Sequence, residues 1–104
     1  MTDIDPHAPG AKLDQGKPWV DAIWSGFPRA QLAVAEVGTF GAKKYSLNGW
    51  QSVDDALRRY ADAGARHRLL RQMGETHDPE SGLPHIYHEA WNMMAVLELT
   101  IRED

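Results

Sequence analysis

The sequence predicts an all-α fold: a small bundle of three long helices preceded by a short helix or extended segment. Apolar residues recur at three- and four-residue spacing in three separate stretches. Strict apolar–polar alternation is nearly absent, and the joints between the stretches are rich in Gly, Pro, Ser and Asn.

Residues 1–18 hold Pro6, Pro9, Gly10, Gly16 and Pro18 and read as an extended lead-in; a single all-α domain is expected over 19–104. A short helix fits near Trp19 to Trp24. The first long helix is expected from Arg29 to about Tyr45, where Leu32, Val34, Val37 and Phe40 share a spacing and Pro28 suits the start. Gly41 is expected to interrupt it, and Ser46, Asn48 and Gly49 to turn the chain before Trp50. Ser52 followed by Asp55 resembles a capping box, which sets the second helix at about Val53 to Met73 with Ala56, Tyr60, Ala63, His67 and Leu70 as its stripe. Gly74, Pro79, Gly82 and Pro84 then hold a loop, and the third helix follows from about His85 to Arg102.

With 104 residues the chain buries a thin core, and self-association is a natural supplement. It has no cysteine, which excludes disulfides, thiolate metal sites and a Cys nucleophile. Its 11 Lys+Arg against 15 Asp+Glu, a net charge of −4 with no basic run, argue against duplex nucleic acid as partner but allow a small anionic ligand. Met1 to Gly10 has no apolar signal region, and no stretch reaches the roughly 18 apolar residues of a membrane span. No membrane partner is therefore expected, and the expected location is cytoplasmic.

His85, His88, Glu89 and Asn92 stand at i, i+3, i+4 and i+7 and share one polar face of the third helix. The helix beyond is apolar nearly all round, with Ile86, Ala90, Met93, Leu97 and Ile101 along the opposite side. The polar face is therefore expected to look into a joint between helices, as a ligand or metal site, rather than into bulk water. His67 lies in a stripe of small residues, either a satisfied core histidine or a ligand beside a close neighbour. Asp62, with Arg58, Arg59 and Arg66 at helical spacing, is either a surface ion-pair cluster or a carboxylate for a cation beside phosphate-binding guanidiniums. Glu36, between Leu32 and Phe40, is either a boundary residue or an inward ligand. The joint from Gly74 to Gly82 adds Glu75, His77, Asp78 and Glu80, compatible with a hard cation and a bound phosphate. Lys43 and Lys44 serve either the helix dipole or phosphates. No Walker loop, dinucleotide fingerprint, nucleophile elbow or zincin helix is present.

The ordered words Gly10-Ala-Lys-Leu-Asp-Gln-Gly-Lys-Pro18, Phe40-Gly-Ala-Lys-Lys-Tyr45 with Trp50, Arg66-His67, Gly74-Glu75, Asp78-Pro-Glu-Ser-Gly82, and His85 with His88 and Asn92 resemble the phage-type dATP/dGTP diphosphohydrolase domain. That family is a relative of the MazG-like all-α nucleotide pyrophosphohydrolases, which include the MazZ enzymes of phages. The resemblance spans about residues 10–100. It implies a usually oligomeric enzyme that cleaves a purine deoxynucleoside triphosphate (dGTP or dATP) between the α and β phosphates with a divalent metal, Mg²⁺, acting in the host cytoplasm where a phage encodes it. His and Asn in place of carboxylates make Mn²⁺ or another imidazole-tolerant ion an alternative, and the apolar surface left over by three helices makes a dimer or tetramer the expected assembly.

The chain departs from the broader MazG pattern. Glu89-x-x-Asn92 resembles its Glu-x-x-Asp word with an amide in place of the acid, and the Glu-Glu-x-x-Glu word is missing. On this resemblance Glu36, His67, His88 and Asn92 are the catalytic candidates, and Asp62, Asp78, Glu80, His85 and Glu89 the candidate metal ligands. Lys43, Lys44, Tyr45, Trp50 and Arg66 would meet the substrate. A reading from a different class, a non-enzymatic helical interaction protein, would use the Trp- and Met-bearing faces as a partner surface.

Overall fold

The computed structural model describes residues 5–103. Among these, four α-helices follow one another: α1, Val20–Trp24; α2, Pro28–Lys44; α3, Ala56–Gln72; and α4, His85–Glu103. A 3-10 turn, Gly49–Ser52, lies between α2 and α3. Strand pairing among the described residues is limited to one isolated bridge between His77 and Pro84, so the protein is all-α. Of the 1–18 lead-in, residues 1–4 lie outside the described residues; residues 5–18 pass through turns without forming helix or strand.

Two local expectations are corrected. Gly41 does not interrupt α2: the helix continues to Lys44, and the Gly41 carbonyl accepts the backbone N–H of Tyr45. Pro28 occupies the helix start, where its missing N–H costs nothing, and Lys43 and Lys44 close the last turn at the negative end of the dipole. The Ser52–Asp55 capping box does not form. Ser52 belongs to the 3-10 turn, Val53 is extended, and Asp55 sits at φ 54 with no capping hydrogen bond, so α3 begins at Ala56 rather than Val53. The displacement follows from Trp50, which the turn presents edge-on to Tyr60 at 6.4 Å and to Trp91 at 5.7 Å between ring centroids. The Tyr60 hydroxyl donates to the Trp50 carbonyl at 2.7 Å and fastens the turn to α3.

α3 and α4 run antiparallel, as the order of their contacts shows: Arg71 meets Glu89, His67 meets His85 and His88, and Tyr60 meets Trp91. Their closest approach is at Gly64, where an added Cβ would stand 3.2 Å from the Asn92 Cβ. α2 packs on α4 through Phe40, edge-on to His88, and through Gly38 beneath the Trp91 indole. Val37 and Ala95 are the buried apolar residues among those described, whereas His85, His88 and Asn92 are the buried polar ones. Among the described residues the deepest large side chain is therefore an imidazole, His85. A protein seldom places that group at its centre without chemical reason, since each ring nitrogen needs a partner there.

Candidate active site

The loop from Gly74 to Pro84 sets the site. Gly74 and Gly82 stand at φ 104 and 75, a left-handed backbone that favours glycine. Between them the Asp78 N–H donates to the Leu83 carbonyl and the Gly82 N–H to the Asp78 carbonyl, both at 2.8 Å. The Asp78 carboxylate accepts the Ser81 N–H at 2.9 Å. The His85 N–H donates to the Thr76 carbonyl at 2.8 Å, so loop and α4 are clamped together. Asp78, Ser81 and Glu75 are thereby presented to the histidine face of α4.

Two chains of contacts result. His85 is wholly buried; its Nε2 lies 2.7 Å from Glu75 Oε2, and its Nδ1 lies 2.8 Å from Nδ1 of His67. His88 sits one turn further, with Nε2 at 2.7 Å from the Ser81 hydroxyl and 3.8 Å from Asp78. Burial pushes the pKa of His67 down, with His88, His85 and Arg66 adding to the fall against Asp78. Burial also lowers His88, although Asp78 opposes it. Burial acts to raise the Asp78 carboxyl, but the Ser81 hydrogen bonds and the nearby imidazoles outweigh it and leave the pKa below the usual value. The cluster at neutral pH is thus two neutral rings beside an ionised carboxylate.

His67, His88 and Asn92 open onto a cleft of about 1500 Å³ bounded by α2, α3, α4 and the 3-10 turn. Lys43, Lys44, Tyr45, Trp50, Asp62, Arg66, Asp78 and Glu80 also line it. Lys44 is paired with Glu80 and lies over the Tyr45 ring, 5.1 Å from its centroid; the Glu80 contact raises its pKa. Asp62 is exposed at the cleft wall and paired with Arg58 at 3.0 Å. Asn92 donates its amide to the His88 carbonyl at 2.8 Å.

Three expected residues stand away from the cleft. Glu36 is exposed on α2 and is not part of the lining. His85 lies behind His67. Glu89 is turned to Arg71, which it bridges at 2.8 Å. Glu75 and Ser81 are the contributors that spacing on a helix could not have singled out: both belong to the loop, and only its fold brings them to the imidazoles. The adjacent pair His77-Asp78 is divided, with Asp78 in the site and His77 exposed.

The donor set fits a divalent cation. One ligand atom each from His67, Asp78 and His85 lie within 4.8 Å of one another, and Glu75 holds the outer nitrogen of His85 in the way carboxylates orient metal-bound imidazoles.

Fold and site together define a small all-α protein with a histidine–carboxylate centre in the wall of a cleft that Lys43, Lys44 and Arg66 also line. The chain belongs to the family described as dATP/dGTP diphosphohydrolase, N-terminal, which its sequence matches over residues 7–104. No curated protein and no solved structure matches it. No helix among the described residues is long and apolar enough to cross a membrane.

Proposed function

We propose that the chain hydrolyses purine deoxynucleoside triphosphates, dGTP and dATP, between the α and β phosphates, giving the monophosphate and pyrophosphate with a divalent cation, Mg²⁺ or Mn²⁺. The observation that carries this reading is that Lys43, Lys44 and Arg66 share one cleft with His67, Asp78, His88 and Asn92. A triphosphate needs both sets: cations for its charge and a centre that activates water.

In the proposed reaction a water attacks the α phosphorus in line and the bond to the pyrophosphate oxygen breaks. His67, Asp78 and His85 would hold a divalent cation, which would supply charge neutralisation and Lewis acidity there. His88 takes the proton from the attacking water; burial keeps this ring neutral, and Ser81 at 2.7 Å steadies it. Lys43, Lys44 and Arg66 offset charge gathering on the departing pyrophosphate. Lys44 would exchange Glu80 for a phosphate oxygen. Trp50 is engaged with Tyr60 and Trp91, which leaves the exposed Tyr45 as the freer ring for the base.

A panel of dNTPs and NTPs with Mg²⁺ or Mn²⁺, with products separated by chromatography, tests the reading. We expect dGMP or dAMP with pyrophosphate, and loss of both on adding chelator. Nucleotide binding without any turnover would favour the non-enzymatic interaction protein, a reading supported by the apolar side chains exposed along α1 and α4.

A further inference from the structure

We propose that His67, His85 and Asp78 form a site for one imidazole-accepting transition ion in preference to Mg²⁺, with Glu75 as the positioning residue that turns the lone pair of His85 toward it. This rests on the proposed function only for the use to which the ion is put; the site itself is argued from the side chains. The Glu75 carboxylate accepts, so the 2.7 Å contact takes an Nε2–H from His85 and leaves its Nδ1 as the acceptor in the contact with His67. The Nδ1–H of His67 meets that nitrogen at 2.8 Å, so a cation would take the place of the shared proton, and an Asp78 carboxylate oxygen supplies the third ligand atom within the same 4.8 Å group.

Two nitrogens and one oxygen are a poor set for Mg²⁺, which prefers oxygen ligands and keeps its waters, and a good one for ions such as Co²⁺, Mn²⁺ or Zn²⁺. Glu75 does not reach His85 by chance. The chain turns at Gly74, φ 104; the Glu75 N–H donates to the Leu70 carbonyl at 3.0 Å, and the neighbouring Thr76 carbonyl accepts the His85 N–H at 2.8 Å. Carboxylate and imidazole are locked to each other by backbone on both sides.

The test is calorimetric titration of the metal-free chain with Co²⁺ and separately with Mg²⁺, together with the visible spectrum of the Co²⁺ form. One equivalent of Co²⁺ should bind with an intensified visible band. His67→Gln and Asp78→Asn should weaken it by at least about 100-fold, and Glu75→Gln by about 10–100-fold with a shifted band. Arg68→Gln, on the exposed side of α3, should leave both unchanged. His67→Gln and Asp78→Asn are chosen because neither removes the fully buried His85, and circular dichroism confirms that each is folded. Co²⁺ affinity within threefold of the parent in both variants overturns the proposal, as does Mg²⁺ displacing Co²⁺ at equal concentration. A dGTP assay on the same samples keeps the two claims apart. Tight Co²⁺ binding that depends on His67, without hydrolysis, upholds the ion site and sinks the enzymatic reading; Mg²⁺-driven hydrolysis undiminished in His67→Gln does the reverse.

Discussion

The imidazole of His67 lies flat on that of His88, ring centroids 4.5 Å apart and 10° from parallel, between helices that could have met through leucines. Two stacked rings cannot both carry a proton cheaply. Burial lowers both pKa values; His85 adds to each shift and Arg66 to that of His67, while Asp78 opposes both and Glu80 opposes that of His88. The unfolded chain therefore takes up protons first, near the ordinary histidine value of about 6.5. Stability is full above that value and is lost as the pH falls through the folded-state values. We expect the urea midpoint of the metal-free protein to be lower at about pH 5.5 than at about pH 7.5, and the difference to shrink in His67→Gln. A midpoint that holds or rises on acidification counts against the stacked pair as drawn.

Gly64 governs how near α3 comes to α4. A Cβ there would stand 3.2 Å from the Asn92 Cβ, and Asn92 cannot yield without disturbing its bond to the His88 carbonyl. Gly64→Leu should destabilise the protein by about 1–3 kcal/mol through overpacking, despite leucine's better helix propensity. Chemical unfolding reads the effect. Unchanged stability would mean that the helices separate freely at this level.

Much of this was legible in the sequence, for identifiable reasons. The three long helices carry their own punctuation: Pro28 opens α2, Gly74 follows α3 after one residue, and Pro84 precedes α4. Their periodicity is strong enough to fix them within a few residues. The inward face of α4 was readable because His85, His88 and Asn92 share a stripe that ends in the buried Ala95. The start of α3 was not, because the Ser52–Asp55 spacing imitates a cap while the packing of Trp50 on Tyr60 and Trp91 decides the turn. Glu75 and Ser81 were hidden for a similar reason: helical spacing says nothing of where a loop folds back. Glu89 shares the face by spacing, yet Arg71 on α3 is near enough to claim it.

His88 is the group whose loss should be felt most in turnover. His88→Ala should reduce dGTP hydrolysis by about 10²–10⁴-fold, the usual worth of a positioned acid–base group, while the far-ultraviolet circular dichroism stays helical. Ser81→Ala should cost less, since it removes a partner of the ring and leaves the ring itself. Undiminished activity in His88→Ala would take the proton-accepting role away from this position.

Glu89 and Arg71 form a strut between α3 and α4, with 22% and 36% of their side chains exposed. A pair this shielded should be worth somewhat more than a surface bridge, about 1 kcal/mol. Glu89→Gln should lower stability by that amount and leave cation affinity unchanged, read by unfolding and by metal titration of the same sample. A large loss of cation binding would instead place Glu89 among the ligands.

Self-association is the expectation raised by what the single chain leaves uncovered. Its radius of gyration is 18.8 Å, against about 13 Å for a compact chain of about 100 residues. The buried apolar side chains among those described are only Val37 and Ala95. Ile86, Met93, Leu97 and Ile101 meanwhile line the outer side of α4, each more than half exposed, and Trp19, Val20, Ile23 and Phe27 are as open around α1. A continuous apolar stripe on a helix whose other face is already packed needs a second surface, and a further copy of the same chain is the one always present at matching concentration. We expect light scattering to report a dimer or tetramer at micromolar concentration. Leu97→Glu combined with Ile101→Glu should shift it to a smaller species. The same pair of changes should also lower the unfolding midpoint, because a chain with so small an apolar interior draws much of its stability from the contact it loses. A monomeric parent protein would sink this expectation, and a stable monomeric double variant would show that the histidine-centred interior holds the fold unaided.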